Sequence, residues 1–180
     1  KMADILGDHR FDSFLAERAE SILLNFDRCY FQGGYYSSKG IVDDRANAMA
    51  VLAGLCKEEN YPQIHTILLS VFNATVYMEN YILTALCKMD YRKDAYHRMM
   101  SRYYNLAKNQ NSTLWEDFNI LGTKNHAWSG APATIAFRYF MGIETDDGYQ
   151  TFRLNYDKSL FKKMNCCFPA KNGIVTVNID

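Results

Sequence analysis

Hydrophobic side chains recur at the three- and four-residue spacing of α-helices along most of this chain, and this spacing limits the folds open to it. The clearest case runs from about Phe11 to Tyr30, where charged residues fill the intervening positions. Short links between successive helices favour antiparallel neighbours, so we predict a mainly α fold of helical hairpins. The other predicted helices are Met2–Leu6, Ala46–Leu55, a short one starting at Tyr61-Pro62, Val76–Met89, Tyr91–Leu106 and Ala131–Met141.

The hydrophobic spacing changes from helical to alternating after Gly142. Residues Phe152–Tyr156 alternate, and Gly173–Ile179 alternate more clearly, which is typical of strands. Turn residues between short β-prone pieces also predict a hairpin over Tyr35–Val42. We therefore predict two units: a helical domain over residues 1–145, and the beginning of a C-terminal β-sandwich domain over residues 146–180.

The charge balance excludes some partners. Twenty basic and twenty acidic residues cancel, and there is no basic cluster, so we expect no binding to nucleic acid. No apolar run approaches the roughly 20 residues that cross a bilayer, so we expect no membrane span. The first residues do not resemble a signal peptide, and the sequence leaves the compartment open.

The five cysteines indicate neither a metal site nor a disulfide framework. Their number is odd, and none of them form a Cys-x-x-Cys pair. Three of them stand singly in apolar helical stretches, where a free cysteine behaves as a small hydrophobic residue. We expect no metal and no other cofactor.

The densest group of chemically distinctive residues lies between two predicted helices, over Ser112–Gly130. It contains both tryptophans of the chain, Trp115 and Trp128, together with Glu116-Asp117 and His126. Most of this segment has no helical spacing. A long loop that combines aromatic, carboxylate and imidazole groups favours a functional site. The aromatic side chains favour either core packing or a cleft that holds a sugar.

This loop and the helix after it resemble the C-terminal catalytic segment of bacterial α-L-rhamnosidases. Those enzymes are inverting glycoside hydrolases built on an (α/α)6 toroid, and the resemblance covers roughly the whole chain. It implies that the predicted hairpins form part of such a toroid. The family pattern is Thr-x-Trp-Glu, a loop, Asn-His, a turn of small residues, and a helix that ends before Gly-Ile. The matching residues are Thr113, Trp115, Glu116, Asn125, His126 and Gly142-Ile143.

The resemblance implies a role for each site residue. Glu116 would be the general base that activates the attacking water, and His126 would bind a rhamnose hydroxyl or orient Glu116. Trp115 and Trp128 would form walls against the sugar. The substrate would be a rhamnose-containing carbohydrate. We read Asp43-Asp44-Arg45 as a helix start, so we expect the general acid upstream of Lys1.

Each of these assignments has an alternative. Glu116 could be a solvated loop carboxylate, His126 a buried histidine bonded to a backbone carbonyl, and either tryptophan a core residue. The whole chain could instead be a helical domain that binds carbohydrate or protein without catalysis. It could also belong to an (α/α)6 glycosidase for another sugar.

The resemblance implies two further expectations, the first of which follows from a toroid that is only partly present. Its apolar helix faces would lack their covering helices, which favours homo-oligomerisation. The resemblance to bacterial enzymes makes a periplasmic or extracellular parent one option for the compartment.

Overall fold

The computed structural model describes residues 2–109, 113–145 and 150–180, and it confirms the mainly α fold. Helix α5 is central and packs against α3, α6 and α7. All the helices predicted from the hydrophobic spacing are present; the ends of the first six are shifted by up to three residues, and the seventh, α7, ends six residues earlier than predicted. They are α1 (Met2–Leu6), α2 (Asp12–Tyr30), α3 (Asp44–Leu52), α4 (Tyr61–Ser70), α5 (Val76–Lys88), α6 (Arg92–Lys108) and α7 (Ala131–Ile135).

The last predicted helix, Ala131–Met141, is divided. After α7 the chain continues as a π-helix over Ala136–Phe140, where the Met141 N–H donates to the carbonyl of Ala136, five residues earlier, at 2.7 Å. Gly142 then turns the chain with a φ of +67°, and its carbonyl accepts a 2.7 Å hydrogen bond from the Asn155 N–H. A side chain at Gly142 would collide with the backbone carbonyl of Asn155, so this junction requires glycine.

The strands form small antiparallel pairings. They are β1 (Phe31–Gln32), β2 (Tyr35–Ser38), β3 (Ile41–Val42), β4 (Ile143–Glu144), β5 (Arg153–Leu154), β6 (Met164–Ala170) and β7 (Gly173–Ile179). The predicted hairpin over Tyr35–Val42 is confirmed as β2 and β3, and the strand over Gly173–Ile179 is confirmed as β7. The sequence did not identify β6, and only two residues of the predicted strand Phe152–Tyr156 are in β5.

A second, smaller hydrophobic cluster lies under the β6–β7 hairpin. Met164, Phe168 and Val177 form it together with Ile143 of β4. Phe161, just before β6, belongs instead to the edge of the main core, where its ring lies 5.3 Å from that of Tyr96. Residues 146–149, where the predicted β domain begins, lie outside the described residues. The division of the chain at residue 145 stays a prediction.

Three buried charged side chains, together with the partly buried Arg102, join the helices around α5. Arg98 of α6 donates from Nε to Oε1 of Glu79 at 2.5 Å, and from Nη2 to Oδ2 of Asp44 at 2.9 Å. Arg102, one turn further along α6, places Nε 3.2 Å from Oε2 of Glu79 as an ion pair. Asp44 and Glu79 have no solvent-exposed side-chain surface. The sequence predicted only a helix start at Asp43-Asp44-Arg45, and it gave no sign that Asp44 is buried in an ion pair.

The same arginines hold the link between α4 and α5. Arg98 donates to the backbone carbonyls of Leu68 and Val71, and Arg102 donates to the carbonyl of Ala74. Burial alone would lower the pKa of Arg98, but hydrogen bonds and attraction to Glu79 and Asp44 raise it above its ordinary value. Arg98 is therefore held in its charged form, and its contacts fix α3, α5, α6 and this link relative to one another.

Helix α2 carries an uncovered apolar stripe. None of its residues is buried, and Phe14, Leu15 and Ile22 are all exposed on neighbouring positions of one face. Only its C-terminal part meets the core, through Phe26, whose ring lies 5.2 Å from that of Tyr36. A continuous exposed apolar stripe of this kind favours association with another protein surface.

Within the described ranges, no helix combines the length and the apolar character that crossing a membrane would require.

We predict that replacing Arg98 by methionine destabilises the fold by about 3–5 kcal/mol, because the buried carboxylates of Asp44 and Glu79 then lose the cation that both of them contact. Urea denaturation followed by circular dichroism measures this. The matched control is Arg10→Met, which breaks the exposed Arg10–Asp8 pair and should change stability little. Equal stability of the two variants would contradict the role given to the network.

We also predict that the 180-residue chain self-associates through α2. Leu15 and Leu24 are both exposed and nine residues apart, which at about 100° per residue places them on opposite sides of the helix. Leu15→Lys should weaken self-association in sedimentation equilibrium, and Leu24→Lys, the same substitution away from the stripe, should not. A monomeric wild-type chain, or equal effects of the two variants, would show that the stripe is not the contact.

Candidate active site

The loop between α6 and α7 brings its own ends together. The His126 N–H donates to the carbonyl of Leu114 at 3.0 Å, and Trp115 pairs with Lys124 in an isolated antiparallel bridge. Residues 110–112, including Ser112 at the start of the predicted site segment, lie outside the described residues. The closure brings the side chains of Glu116 and His126 to within 3.8 Å of each other, although ten positions separate them in the chain.

Glu116 is held through one of its two carboxylate oxygens. Oε2 accepts hydrogen bonds from the backbone N–H of Thr123 at 2.7 Å and from the Thr123 hydroxyl at 2.9 Å. These bonds, the backbone one first, hold the pKa of Glu116 below its ordinary value, because they stabilise the charged form. The side chain is 42% exposed, and no described residue donates to Oε1. Glu116 is therefore an oriented, ionised carboxylate with one oxygen open to solvent.

His126 joins the same hydrogen-bonded chain through Thr123. Its Nε2 lies within hydrogen-bonding distance of the Thr123 hydroxyl oxygen and 3.8 Å from Oε2 of Glu116. The Thr123 hydroxyl has a single hydrogen, which it donates to Glu116, so its oxygen must accept from His126. This contact places a hydrogen of His126 on Nε2, and in the corresponding neutral tautomer Nδ1 would be an acceptor.

The backbone around this carboxylate is strained. Gly122 has a φ of +78°, and an added side chain there would meet Oε2 of Glu116 at 2.5 Å. Ile120 and Asn125 also adopt positive φ, +61° and +69°, and this is an outlier for the β-branched isoleucine. Such strain is concentrated at functional sites, where the surrounding structure imposes it.

The two tryptophans lie in different environments. Trp128 is 45% exposed and stacks on His126, with ring centroids 4.4 Å apart and an angle of 25° between the planes. Trp115 is only 4% exposed; its carbonyl accepts from the Ser129 hydroxyl, and the Lys124 ammonium lies 5.3 Å from its ring centroid. The structure thus brings Glu116, His126 and Trp128 together at the surface and places Trp115 in the core beneath them.

Asp117 faces away from the carboxylate that precedes it. Its Oδ1 accepts from the N–H groups of Asn119 at 2.8 Å and Leu121 at 3.2 Å, so it stabilises the turn after Glu116. The two adjacent carboxylates therefore contact different backbone groups.

The loop is attached to the buried ion network through Phe118. The guanidinium carbon of Arg102 lies 4.0 Å from the Phe118 ring centroid, and the Tyr103 ring meets Phe118 edge-on at 5.1 Å. Sequence reasoning assigned no role to Phe118, Arg102 or Thr123. Thr123 lies within the segment Ser112–Gly130 that the sequence singled out, and its hydroxyl could have been identified as a potential hydrogen-bond donor. Arg102 and Phe118 gave no comparable signal, because a cation–π contact between distant residues leaves no pattern in the sequence.

In the described part of the chain, no group of three or more histidine, cysteine, aspartate or glutamate side chains is placed to hold a metal ion.

Comparison with solved structures shows a close likeness in fold to a glycoside hydrolase. The chain superposes on the crystal structure of a GH78 family rhamnosidase of Bacillus sp. GL1 with a TM-score of 0.85. The match covers 98% of this chain and 21% of that chain, at 18% sequence identity. No family model and no curated protein matches the sequence. At this identity the likeness shows a shared fold, and this chain spans about a fifth of the length of that rhamnosidase.

We predict that Thr123→Val raises the pKa of Glu116 toward its ordinary value. The substitution removes the donating hydroxyl and keeps the shape of the side chain. The backbone hydrogen bond remains, so the rise should be partial. Carboxyl carbon NMR of the 180-residue chain over a pH titration measures it, with Thr123→Ser, which keeps the hydroxyl, as the control. An unchanged pKa in Thr123→Val would mean that the hydroxyl does not hold the carboxylate.

Proposed function

We propose that this chain carries the general-base side of the active site of an inverting glycoside hydrolase that releases terminal α-L-rhamnose. The observation that supports this most is the state of Glu116. One of its oxygens is occupied by Thr123, the other is open to solvent, and its pKa is lowered. A base must be ionised and must present a free oxygen to water, and Glu116 meets both requirements.

Inversion needs a second carboxyl group. One carboxylic acid protonates the leaving oxygen, and a carboxylate roughly 6.5–9.5 Å away activates water on the opposite face of the sugar. Asp44 and Glu79 are fully buried in ion pairs with Arg98, so neither can act as this acid. We place the acid in a part of the parent protein outside these 180 residues, which would complete an (α/α)6 toroid. We therefore expect the 180-residue chain alone not to hydrolyse aryl α-L-rhamnosides.

The neighbours of Glu116 suit sugar binding. In the neutral His126 ring Nδ1 can accept a hydrogen bond from a sugar hydroxyl, because Nε2 donates to Thr123. Trp128 offers exposed indole surface beside it for the C–H groups of the ring. Trp115 supports the loop from the core in this proposal, since little of its surface is accessible.

Substitution of Glu116 in the full-length protein tests the proposal. Glu116→Gln keeps the shape but cannot take a proton from water, so kcat should fall by about 10²–10⁴-fold with little change in KM. Asp117→Asn is the matched control and should have a much milder effect, because Asp117 faces a turn. His126→Ala should instead raise KM, since it removes a contact to the bound sugar.

Azide rescue of Glu116→Ala tests the stereochemistry. A small anion that enters the water site should restore turnover and give a glycosyl azide of inverted configuration. A product of retained configuration would contradict the assignment of Glu116 as the base. Full activity of Glu116→Gln would contradict the proposed site altogether.

A further inference from the structure

The guanidinium of Arg102 lies largely out of solvent with an incomplete set of hydrogen bonds. The side chain is 12% exposed, and its Nη2 donates to the carbonyl of Ala74. Nε lies 3.2 Å from Oε2 of Glu79 as an ion pair, but it makes no hydrogen bond of good geometry to a described residue. A charged group removed from water in this way costs free energy unless another contact compensates it.

Two aromatic rings supply that contact. The guanidinium carbon of Arg102 lies 4.0 Å from the ring centroid of Phe118 and 5.5 Å from that of Phe72. Phe72 lies closer to Arg98, at 4.6 Å from its guanidinium carbon. Phe118 is therefore the principal aromatic contact of Arg102, and a cation over an aromatic face is attracted most strongly where water is excluded.

Phe118 is held from a second side by the residue that follows Arg102. The Tyr103 ring meets Phe118 edge-on, with an angle of 79° between the ring planes. The Tyr103 hydroxyl in turn donates to the carbonyl of Val76, the first residue of α5, at 3.0 Å. The Phe118 ring is thus placed by two consecutive residues of α6 that are themselves bonded to α5 and to the link before it.

Phe118 also belongs to a short closed loop that carries the candidate base. This loop, residues 116–123, begins at Glu116 and ends at Thr123, whose N–H and hydroxyl both donate to Oε2 of Glu116. Asp117 accepts from two backbone N–H groups of the turn between them. Because a ring of eight residues closed in this way has little freedom, the position of Phe118 affects where Thr123 meets the Glu116 carboxylate.

We infer that Arg102 is a positioning residue for the candidate general base and acts on it through Phe118. The inference rests on the proposed function. Two hydrogen bonds from Thr123, and more weakly attraction to His126, lower the pKa of Glu116. That pKa therefore reports whether the loop keeps its geometry.

The first test needs no substrate. Arg102→Met in the 180-residue chain keeps an extended apolar side chain and removes the cation. We expect the bonds from Thr123 to weaken and the pKa of Glu116 to rise toward its ordinary value, which carboxyl carbon NMR over a pH titration measures. Phe118→Leu removes the ring face and should raise the pKa likewise, so it decides the question if Arg102→Met does not fold.

The matched control for this titration is Arg92→Met. Arg92 lies on the same helix, is 21% exposed and pairs with Asp90, outside the loop. Its replacement should leave the pKa of Glu116 unchanged. An unchanged pKa in both Arg102→Met and Phe118→Leu would overturn the inference.

The second test uses the full-length protein and an aryl α-L-rhamnoside. For Arg102→Met we expect kcat to fall roughly tenfold with little change in KM, because the base is misplaced while the sugar contacts remain. The acid limb of the kcat/KM profile should move to higher pH, since a base of raised pKa stays protonated to higher pH. A merely structural role would reduce the amount of folded protein and leave the pH profile where it is.

A double-mutant cycle tests the route from Arg102 to Glu116. If Arg102 acts through Phe118, the variant that combines Arg102→Met with Phe118→Leu should lose no more kcat than the larger single loss. Losses that multiply would show that the two side chains act independently, and the inference would be wrong. A wild-type protein that does not hydrolyse the rhamnoside would overturn the proposed function instead. The NMR titration would then still decide whether Arg102 positions Glu116, so the two failures are distinguishable.

Discussion

The packing of this chain depends on the buried guanidinium of Arg98. It lies between the carboxylates of Asp44 and Glu79, and it also donates to two carbonyls at the end of α4. A charge in this position is tolerated only while all its partners are in place, because removing one leaves another unpaired in a low-dielectric interior. Arg98 thereby fixes the relative positions of α3, α5, α6 and the link between α4 and α5.

The buried ion network also contacts the loop of the candidate site, through Arg102 and Phe118. Burial lowers the pKa of Arg102, and attraction to Glu79 opposes that shift. The carboxylate of Glu79 and the ring of Phe118 therefore both stabilise the charged form of Arg102. Phe118 lies two residues after Glu116 and is held against the guanidinium. The loop that carries the candidate base therefore rests on a rigid part of the core, which is what an oriented carboxylate requires.

Much of the fold could be predicted from the sequence because helices impose a local spacing. The long amphipathic segments and the clear alternation over Gly173–Ile179 were identified correctly. Strand β6 was missed, since Pro169 and two adjacent cysteines obscure the alternation of Met164, Cys166 and Phe168. The π-helix over Ala136–Phe140 was also missed, because it depends on which carbonyl each N–H reaches.

The sequence by itself determined the helical spacing, the change of spacing after Gly142 and the group of residues from Trp115 to Trp128 that suggested a site. These are local patterns, fixed by the geometry of a few consecutive residues. Only the tertiary structure decided that Trp115 is buried while Trp128 is exposed, and that Asp44 meets Arg98 across 54 positions of the chain. It also decided that Thr123 occupies one oxygen of Glu116. Such contacts depend on how distant segments pack, and no local periodicity records that packing.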